Sequence, residues 1–205
     1  MTRFSIFILT ISFISCKGHT QKTSSNEVVK DPTTVIQENE KKSSEKQVDD
    51  LGDLITTVSF KVKTKNKKDF EDGFIPWASI ESPEEDIPNL YQKNEIVIKD
   101  TIVYVIIDYP LTNEYRFVLT SQKGFTREQL LREISINYYK IYEEEEKTAT
   151  IKTIPIDKRT IMYNRNTTNG KYGIWGHDIA DLLLSEILVY KTRDGQIILS
   201  LSIES

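Results

Sequence analysis

Residues 183–204 read LLSEILVYKTRDGQIILSLSIE, and this pattern predicts two paired β-strands. Apolar and polar residues alternate over 197–204, which is typical of a strand with one buried face and one solvated face. Between the two halves, Arg193-Asp194-Gly195 provides a glycine where a tight turn requires a positive φ. We therefore expect a C-terminal β-hairpin formed by residues 183–192 and 195–204.

A long helix is predicted earlier in the chain. Thr126-Arg127-Glu128-Gln129 has the pattern of a capping box, in which the Thr and Gln side chains bind backbone N–H groups of the first turn. Apolar residues then recur at helical spacing from Leu130 to Tyr142. The four glutamates 143–146 oppose the negative end of the helix dipole, so we expect the helix to end near residue 143, with these side chains in solvent.

Further apolar runs complete the fold class. Residues 102–107 are apolar on both faces and predict a central strand, which we expect to form a hairpin with 96–98. Residues 115–119 predict another strand. A sheet with one packed helix indicates an α+β domain over 54–205: a mostly antiparallel sheet, one main helix at about 126–143, and the C-terminal hairpin.

The N-terminus predicts export and lipidation. Residues 4–15 form an apolar run after Arg3 that is shorter than the roughly 20 residues needed to span a bilayer. Phe13-Ile14-Ser15-Cys16 resembles the bacterial lipobox, in which the cysteine carries acyl chains such as palmitate. We therefore expect a lipoprotein signal peptide at 1–15 and a membrane anchor on Cys16. The resemblance implies a location at the cell membrane or outer membrane, with the domain facing the periplasm or the exterior.

Residues 16–53 predict a tether between anchor and domain. Ser, Thr, Lys, Glu, Asn and Gln dominate this stretch, and its few apolar residues are isolated. Such a composition does not bury enough apolar surface to offset the entropy of ordering. We expect the tether to be disordered.

Composition excludes several classes of function. The 205 residues have a net charge of −4 and a pI near 5.4, with no basic patch or stripe of the kind that binds nucleic acid. The domain has one histidine, His177, and no cysteine, whereas a zinc site uses several such ligands. We therefore expect no metal site, no cofactor and no nucleic-acid partner.

The stretch 163–182, YNRNTTNGKYGIWGHDIADL, is the most unusual part of the chain. It resembles a block in an uncharacterised family of bacterial and plant proteins, in which an Asn-Arg-Asn segment leads into Tyr-Gly-Ile-Trp-Gly-His-Asp. Residues 75–77, 107–111 and 124–126 are also similar to that family, so the resemblance covers about 74–205. It implies no particular activity.

Glycines recur at every third position in this block and predict a loop with close backbone approaches. Any imidazole acid or base in the domain must be His177, and Asp178, Asp181 or Asp108 could orient its ring. The alternative interpretation is structural: the His-Asp pair locks the loop, the asparagines form turns and Trp175 fills the core. The candidate catalytic residues are His177, Asp178 and Asp181, and the candidate binding residues are Asn164, Arg165, Asn166 and Trp175.

Three hypotheses for function follow. The leading one is a lipid-anchored binding or interaction module of the cell envelope, which takes a protein or small-molecule ligand at the loop 163–181. The second is an envelope hydrolase that uses His177 with Asp178 or Asp181. The third is an immunity lipoprotein that neutralises a secreted toxin.

Overall fold

A computed structural model describes residues 32–45, 51–159 and 165–205, and these ranges contain three α-helices and ten β-strands. The helices are α1 (Pro32–Glu45), α2 (Pro83–Asp86) and α3 (Arg127–Thr148). The strands are β1 (Asp53–Ser59), β2 (Val62–Lys63), β3 (Phe74–Ile75), β4 (Ala78–Ser79), β5 (Ile96–Ile98), β6 (Ile102–Ile107), β7 (Tyr115–Thr120), β8 (Phe125–Thr126), β9 (Leu183–Lys191) and β10 (Ile197–Glu204).

Six strands form the main sheet, in the order β1-β9-β10-β6-β7, with β4 pairing β9. The β10–β6 pair is parallel and the other pairs are antiparallel. Strands β9 and β10 form the predicted hairpin, and Gly195 in its turn has a φ of +86°. The α+β class, the C-terminal hairpin and the central position of β6 are therefore confirmed.

Helix α3 packs its apolar stripe against one face of this sheet. Its start is the predicted capping box, in which the Gln129 N–H donates to Thr126 Oγ1 and the Thr126 N–H donates to Gln129 Oε1. The shared core includes Val103, Val105, Ile107, Leu130, Leu131, Ile134, Tyr138, Ile141, Ile187, Val189, Leu199 and Leu201.

Two expectations about neighbouring elements are wrong. Strand β5 pairs with β8 rather than with β6, because Gly124, at a φ of +82°, lets the backbone before β8 approach the Ile98 carbonyl closely. Helix α3 continues to Thr148 rather than ending near 143, because the final glutamates bind groups of a distant loop, as described below.

The tether is not disordered throughout. Residues 32–45 form α1, and Glu40 of this helix contacts the domain. Leu51 is buried and β1 begins at Asp53, so ordered structure starts slightly before residue 54. Residues 16–31 and 46–50 lie outside the described residues, as do the predicted signal peptide and Cys16.

Within the described ranges, none of the helices combines the length and the apolar character needed to cross a membrane.

Candidate functional site

A buried carboxylate organises the glycine-rich loop, which we define as residues 165–178. Glu145, near the end of α3, has no exposed surface. Its oxygens accept hydrogen bonds from Thr168 Oγ1 at 2.6 Å, from the Gly170 and Tyr172 N–H groups at 2.7 Å each, and from the Gly173 N–H at 3.1 Å. The loop therefore folds around one side chain of the helix.

These bonds correct the expectation that the glutamates 143–146 are only a solvated helix end. Burial alone would raise the pKa of Glu145, but the hydrogen bonds from Thr168 and the loop backbone outweigh it and lower that pKa below its ordinary value. Glu144 accepts from Lys171 Nζ at 2.8 Å and from the Tyr172 hydroxyl at 2.6 Å. Donors of the loop thus offset the charge repulsion expected at this end of the helix.

Gly170 is needed for this arrangement because it leaves room for the carboxylate. A Cβ built on Gly170 would lie 2.7 Å from Glu145 Oε2 and from Thr148 Oγ1. Both atoms are fixed by hydrogen bonds to the loop backbone. The spacing of glycines noted in the sequence therefore reflects packing at this position.

Two tyrosines of α3 place the next part of the site. The Tyr138 hydroxyl donates to the Tyr109 carbonyl at 2.8 Å, and the Tyr142 hydroxyl donates to the His177 carbonyl at 2.9 Å. The Trp175 N–H also donates to the Pro110 carbonyl, at 3.2 Å. These hydrogen bonds therefore fix the segments around residues 109 and 177 next to each other and against α3.

A tight turn orients His177. Its N–H donates to the Trp175 carbonyl at 2.8 Å across Gly176, whose φ is +69°, so the three residues form a γ-turn. A side chain at position 176 would strain this conformation.

Tyr109 and His177 form a pair of polar groups beside an aromatic wall. Tyr109 Oη lies 2.9 Å from His177 Nε2 and 2.6 Å from Ser205 Oγ. The Trp175 ring packs edge-on against both, with ring centroids 5.1 Å from Tyr109 and 5.7 Å from His177. We call the surface formed by Tyr109, Trp175, His177 and Ser205 the Tyr109–His177 face.

The carboxylate on this face belongs to α1. Glu40 Oε1 accepts from the Tyr109 hydroxyl at 2.7 Å and lies 2.9 Å from His177 Nε2, which donates to it when protonated. Burial raises the pKa of the Tyr109 hydroxyl far above its ordinary value; Ser205 opposes that shift and Glu40 adds to it. Tyr109 therefore stays protonated and donates to the Glu40 carboxylate, and His177 Nε2 is a second donor in the tautomer that carries its proton on that nitrogen.

The aspartates predicted to orient His177 have other partners. Asp178 Oδ1 accepts from Arg159 Nη2 at 3.0 Å, and its other oxygen binds Arg159 Nη1 at 2.5 Å. Asp181 accepts from the Asp178 N–H at 2.8 Å. The backbone at Asp178 is extended, with a φ of −81° and a ψ of 164°, so successive side chains point in opposite directions. The expected His177–Asp178 or His177–Asp181 pair is thus replaced by His177–Glu40.

Arg165 is a buried structural residue rather than an accessible ligand-binding one. It is 4% exposed, its Nη2 donates to Thr153 Oγ1 at 2.6 Å, and its Nε lies 3.6 Å from Asp178 Oδ1. Burial lowers the pKa of its guanidinium, an effect that Tyr142 and Asp178 oppose.

Of the other candidate binding residues, Asn166 has a structural role and Trp175 belongs to the Tyr109–His177 face. The side chain of Asn166 accepts from the Ile154 N–H and donates to the Lys152 carbonyl, so it fixes a neighbouring segment. Trp175 is buried, but its ring forms the wall of the Tyr109–His177 face. Asn164 lies outside the described residues.

No family model, curated protein or solved structure matches the chain. The similarity of the 163–182 block to a bacterial and plant family therefore stays a prediction. Among the residues that the structure describes, no group of three or more His, Cys, Asp or Glu side chains is placed to hold a metal ion.

Sequence reasoning missed three residues of this site. Glu145 lies in a run of like charges, Glu40 in a polar stretch that predicts disorder, and Tyr109 in a segment noted only for its resemblance. Only Tyr109 stood in a segment that the sequence analysis had singled out, residues 107–111.

Proposed function

We propose that this protein is a lipid-anchored binding module of the cell envelope, which captures a protein partner through the Tyr109–His177 face. One observation carries the proposal: this face already binds a helix of the same chain, through the contacts of Tyr109 Oη and His177 Nε2 with the Glu40 carboxylate. A surface that binds its own helix is suited to binding a partner. Asp178 pairs with Arg159 and Arg165 rather than with His177, which supports a binding role over a hydrolase built on His177 and Asp178.

Lipid on Cys16 would hold the module at the cell membrane or outer membrane, with the domain facing the periplasm or the exterior. Acyl chains contribute about 0.8 kcal/mol per buried CH₂, so two or three of them would make a durable anchor. The apolar run at 4–15 and the residues before Cys16 support this part of the proposal.

The anchor is tested by replacing the one cysteine. We expect radiolabelled palmitate to enter the wild-type chain in bacterial cells, and we expect the Cys16→Ser variant to take up none. Ser24→Ala, in the polar stretch after the cysteine, is the matched control and should label like the wild type. Label retained in Cys16→Ser, or absent from the wild type, would contradict the proposed anchor.

The binding role is tested by capture of the same partner with a set of variants. The full-length chain, held in mild detergent, is exposed to detergent-solubilised envelope from bacteria that carry the chain. We expect Ile36→Pro, which breaks α1, to raise the amount of captured partner severalfold, because the face becomes open. Adding Tyr109→Phe to Ile36→Pro should lower it severalfold again, because a donor is lost from a face that α1 no longer covers.

Lys67→Ala, at an exposed position, serves as the matched control and should capture the same amount as the wild type. Urea unfolding midpoints of all variants are compared first, so that a loss of folding is not mistaken for a loss of binding. Capture that stays constant across the wild type, Ile36→Pro and the double variant would rule out this face as the binding surface.

A further inference from the structure

Helix α1 meets the Tyr109–His177 face with the spacing of a helix bound in a groove. Ile36 approaches Gly176, where the site of a Cβ would be 3.7 Å from Ile36 Cγ1. Glu40, four residues later, binds Tyr109 and His177. Positions i and i+4 lie on one side of a helix, which is the pattern of helical peptides in grooves.

The next turn of α1 completes this pattern. Asn39, Lys42 and Ser43 line a cleft whose other wall consists of Asp108, Leu111, Thr112 and Trp175. Ile36 and Glu40 therefore approach the domain directly, and Asn39, Lys42 and Ser43 border the cleft beside them.

The hold of α1 on this face is weak. The helix has 14 residues, PTTVIQENEKKSSE, of which only Val35 and Ile36 are clearly apolar. A helix of this length is marginal in water without packing. The Glu40 side chain is 41% exposed, so water competes for the carboxylate. A partner with more apolar surface could therefore displace it.

The face selects for a carboxylate. The Tyr109 hydroxyl, kept protonated, and His177 Nε2 both point to Glu40 Oε1. An amide oxygen in this place could meet the same groups, but it lacks the negative charge that strengthens these hydrogen bonds, so it would bind less well. The Trp175 ring makes the surroundings partly apolar, which favours a side chain delivered on a helix over a free, fully hydrated acid.

We propose that the Tyr109–His177 face recognises an acidic helix of a partner protein, and that α1 occupies the face as an internal stand-in for it. This inference rests on the proposed function and names its partner class. The partner helix presents a Glu or Asp to Tyr109 and His177, and an apolar residue one turn earlier to Gly176.

The short connection to α1 sets the threshold for displacement. Five residues, 46–50, separate α1 from the buried Leu51. A short linker keeps a tethered segment at an effective concentration on the order of millimolar. A partner helix must compete with α1 at this effective concentration. Removing α1 therefore increases the apparent affinity of the face for the partner helix.

The test supplies α1 as a separate peptide. The binding protein in this test is the full-length chain with the substitutions Ile36→Pro and Glu40→Gln, kept in mild detergent. The two substitutions release α1 and so leave the Tyr109–His177 face empty. Trp77→Phe is added so that Trp175, in the wall of the face, is the only tryptophan reporting by fluorescence. The probes are a synthetic peptide of residues 32–45, the same peptide with Glu40→Gln, and sodium acetate.

We expect saturable binding of the peptide that carries Glu40, and binding at least about fivefold weaker for the Glu40→Gln peptide, because its hydrogen bonds to the face are no longer charge-assisted. The chain with an intact α1 should bind the first peptide more weakly than the emptied chain does. Equal binding of the two peptides, or no binding at millimolar concentration, would overturn the inference. If acetate saturates the change in Trp175 fluorescence at the same concentration as the peptide does, the face does not require a helix.

The failure of this inference can be told apart from failure of the proposed function. If the peptides do not bind while adding Tyr109→Phe to Ile36→Pro still lowers partner capture severalfold, the face binds a partner that is not an acidic helix. If both experiments fail, the face is not a binding surface.

Discussion

We expect the Glu145→Ala variant to lose about 3–5 kcal/mol of its free energy of unfolding. This is a large effect for the replacement of one side chain. The substitution removes the acceptor of Thr168 Oγ1 and of three loop N–H groups, and it leaves the buried N–H groups of Tyr172 and Gly173 without a partner. Equilibrium urea unfolding of the full-length chain, followed by tryptophan fluorescence, measures the loss.

Glu143→Ala is the matched control on the same helix. Glu143 is exposed and pairs with Lys147, four residues later, so its replacement should change the free energy of unfolding by no more than about 0.5 kcal/mol. Equal effects of the two substitutions would mean that the glycine-rich loop does not depend on Glu145.

The Glu145 carboxylate also predicts that the free energy of unfolding depends on pH. Because the folded state lowers the pKa of Glu145, its stabilisation is present above the pKa of the unfolded chain, about 4.3, and is lost as the pH falls through the lower folded value. Between about pH 6 and about pH 3, the free energy of unfolding should fall less steeply in Glu145→Gln than in the wild type. An unchanged slope would contradict the hydrogen-bonded carboxylate. Glu144, whose pKa is also lowered by Lys171 and Tyr172, accounts for part of the remaining slope.

Asp178→Asn should cost about 2–4 kcal/mol of the free energy of unfolding, because it leaves two buried guanidinium groups without their counter-ion. The side chains of Arg159 and Arg165 are 4% and 3% exposed, and both approach the Asp178 carboxylate. Adding Arg159→Leu to Asp178→Asn should recover part of the loss, since one of the uncompensated charges is then absent.

Asp100→Asn, at an exposed position, is the control for the loss of an aspartate charge and should be nearly neutral. If Asp178→Asn leaves the stability unchanged, Asp178 is free for another role, and the hydrolase hypothesis regains its acid–base partner.

Local chemistry explains which parts of the fold could be predicted. The start of α3 follows from a capping box within four residues, and the β9–β10 hairpin from alternation around one glycine turn. The end of α3 depends instead on donors 23 to 28 residues further along the chain, which no local pattern reveals. The partner of β5 likewise depends on the close approach that Gly124 allows.

The candidate site could likewise be predicted only in part. His177 could be singled out because it is the only imidazole in the domain, and the glycine spacing marked the loop around it. Its partners come from 68 and 137 residues earlier in the chain, so their approach is a tertiary event. Asp178, the neighbour in sequence, points elsewhere because the backbone there is extended.

The central claim is that Glu40 holds α1 on the Tyr109–His177 face, and a double-mutant cycle tests it most directly. Hydrogen exchange of the α1 amides is measured in the full-length chain for the wild type, Glu40→Ala, Tyr109→Phe and the double variant. We predict that each single substitution speeds exchange by at least about fivefold, and that the double variant exchanges no faster than Glu40→Ala, because the Tyr109 hydroxyl has no carboxylate to bind once Glu40 is replaced. Rates that multiply in the double variant, or that do not change in either single one, would contradict the account.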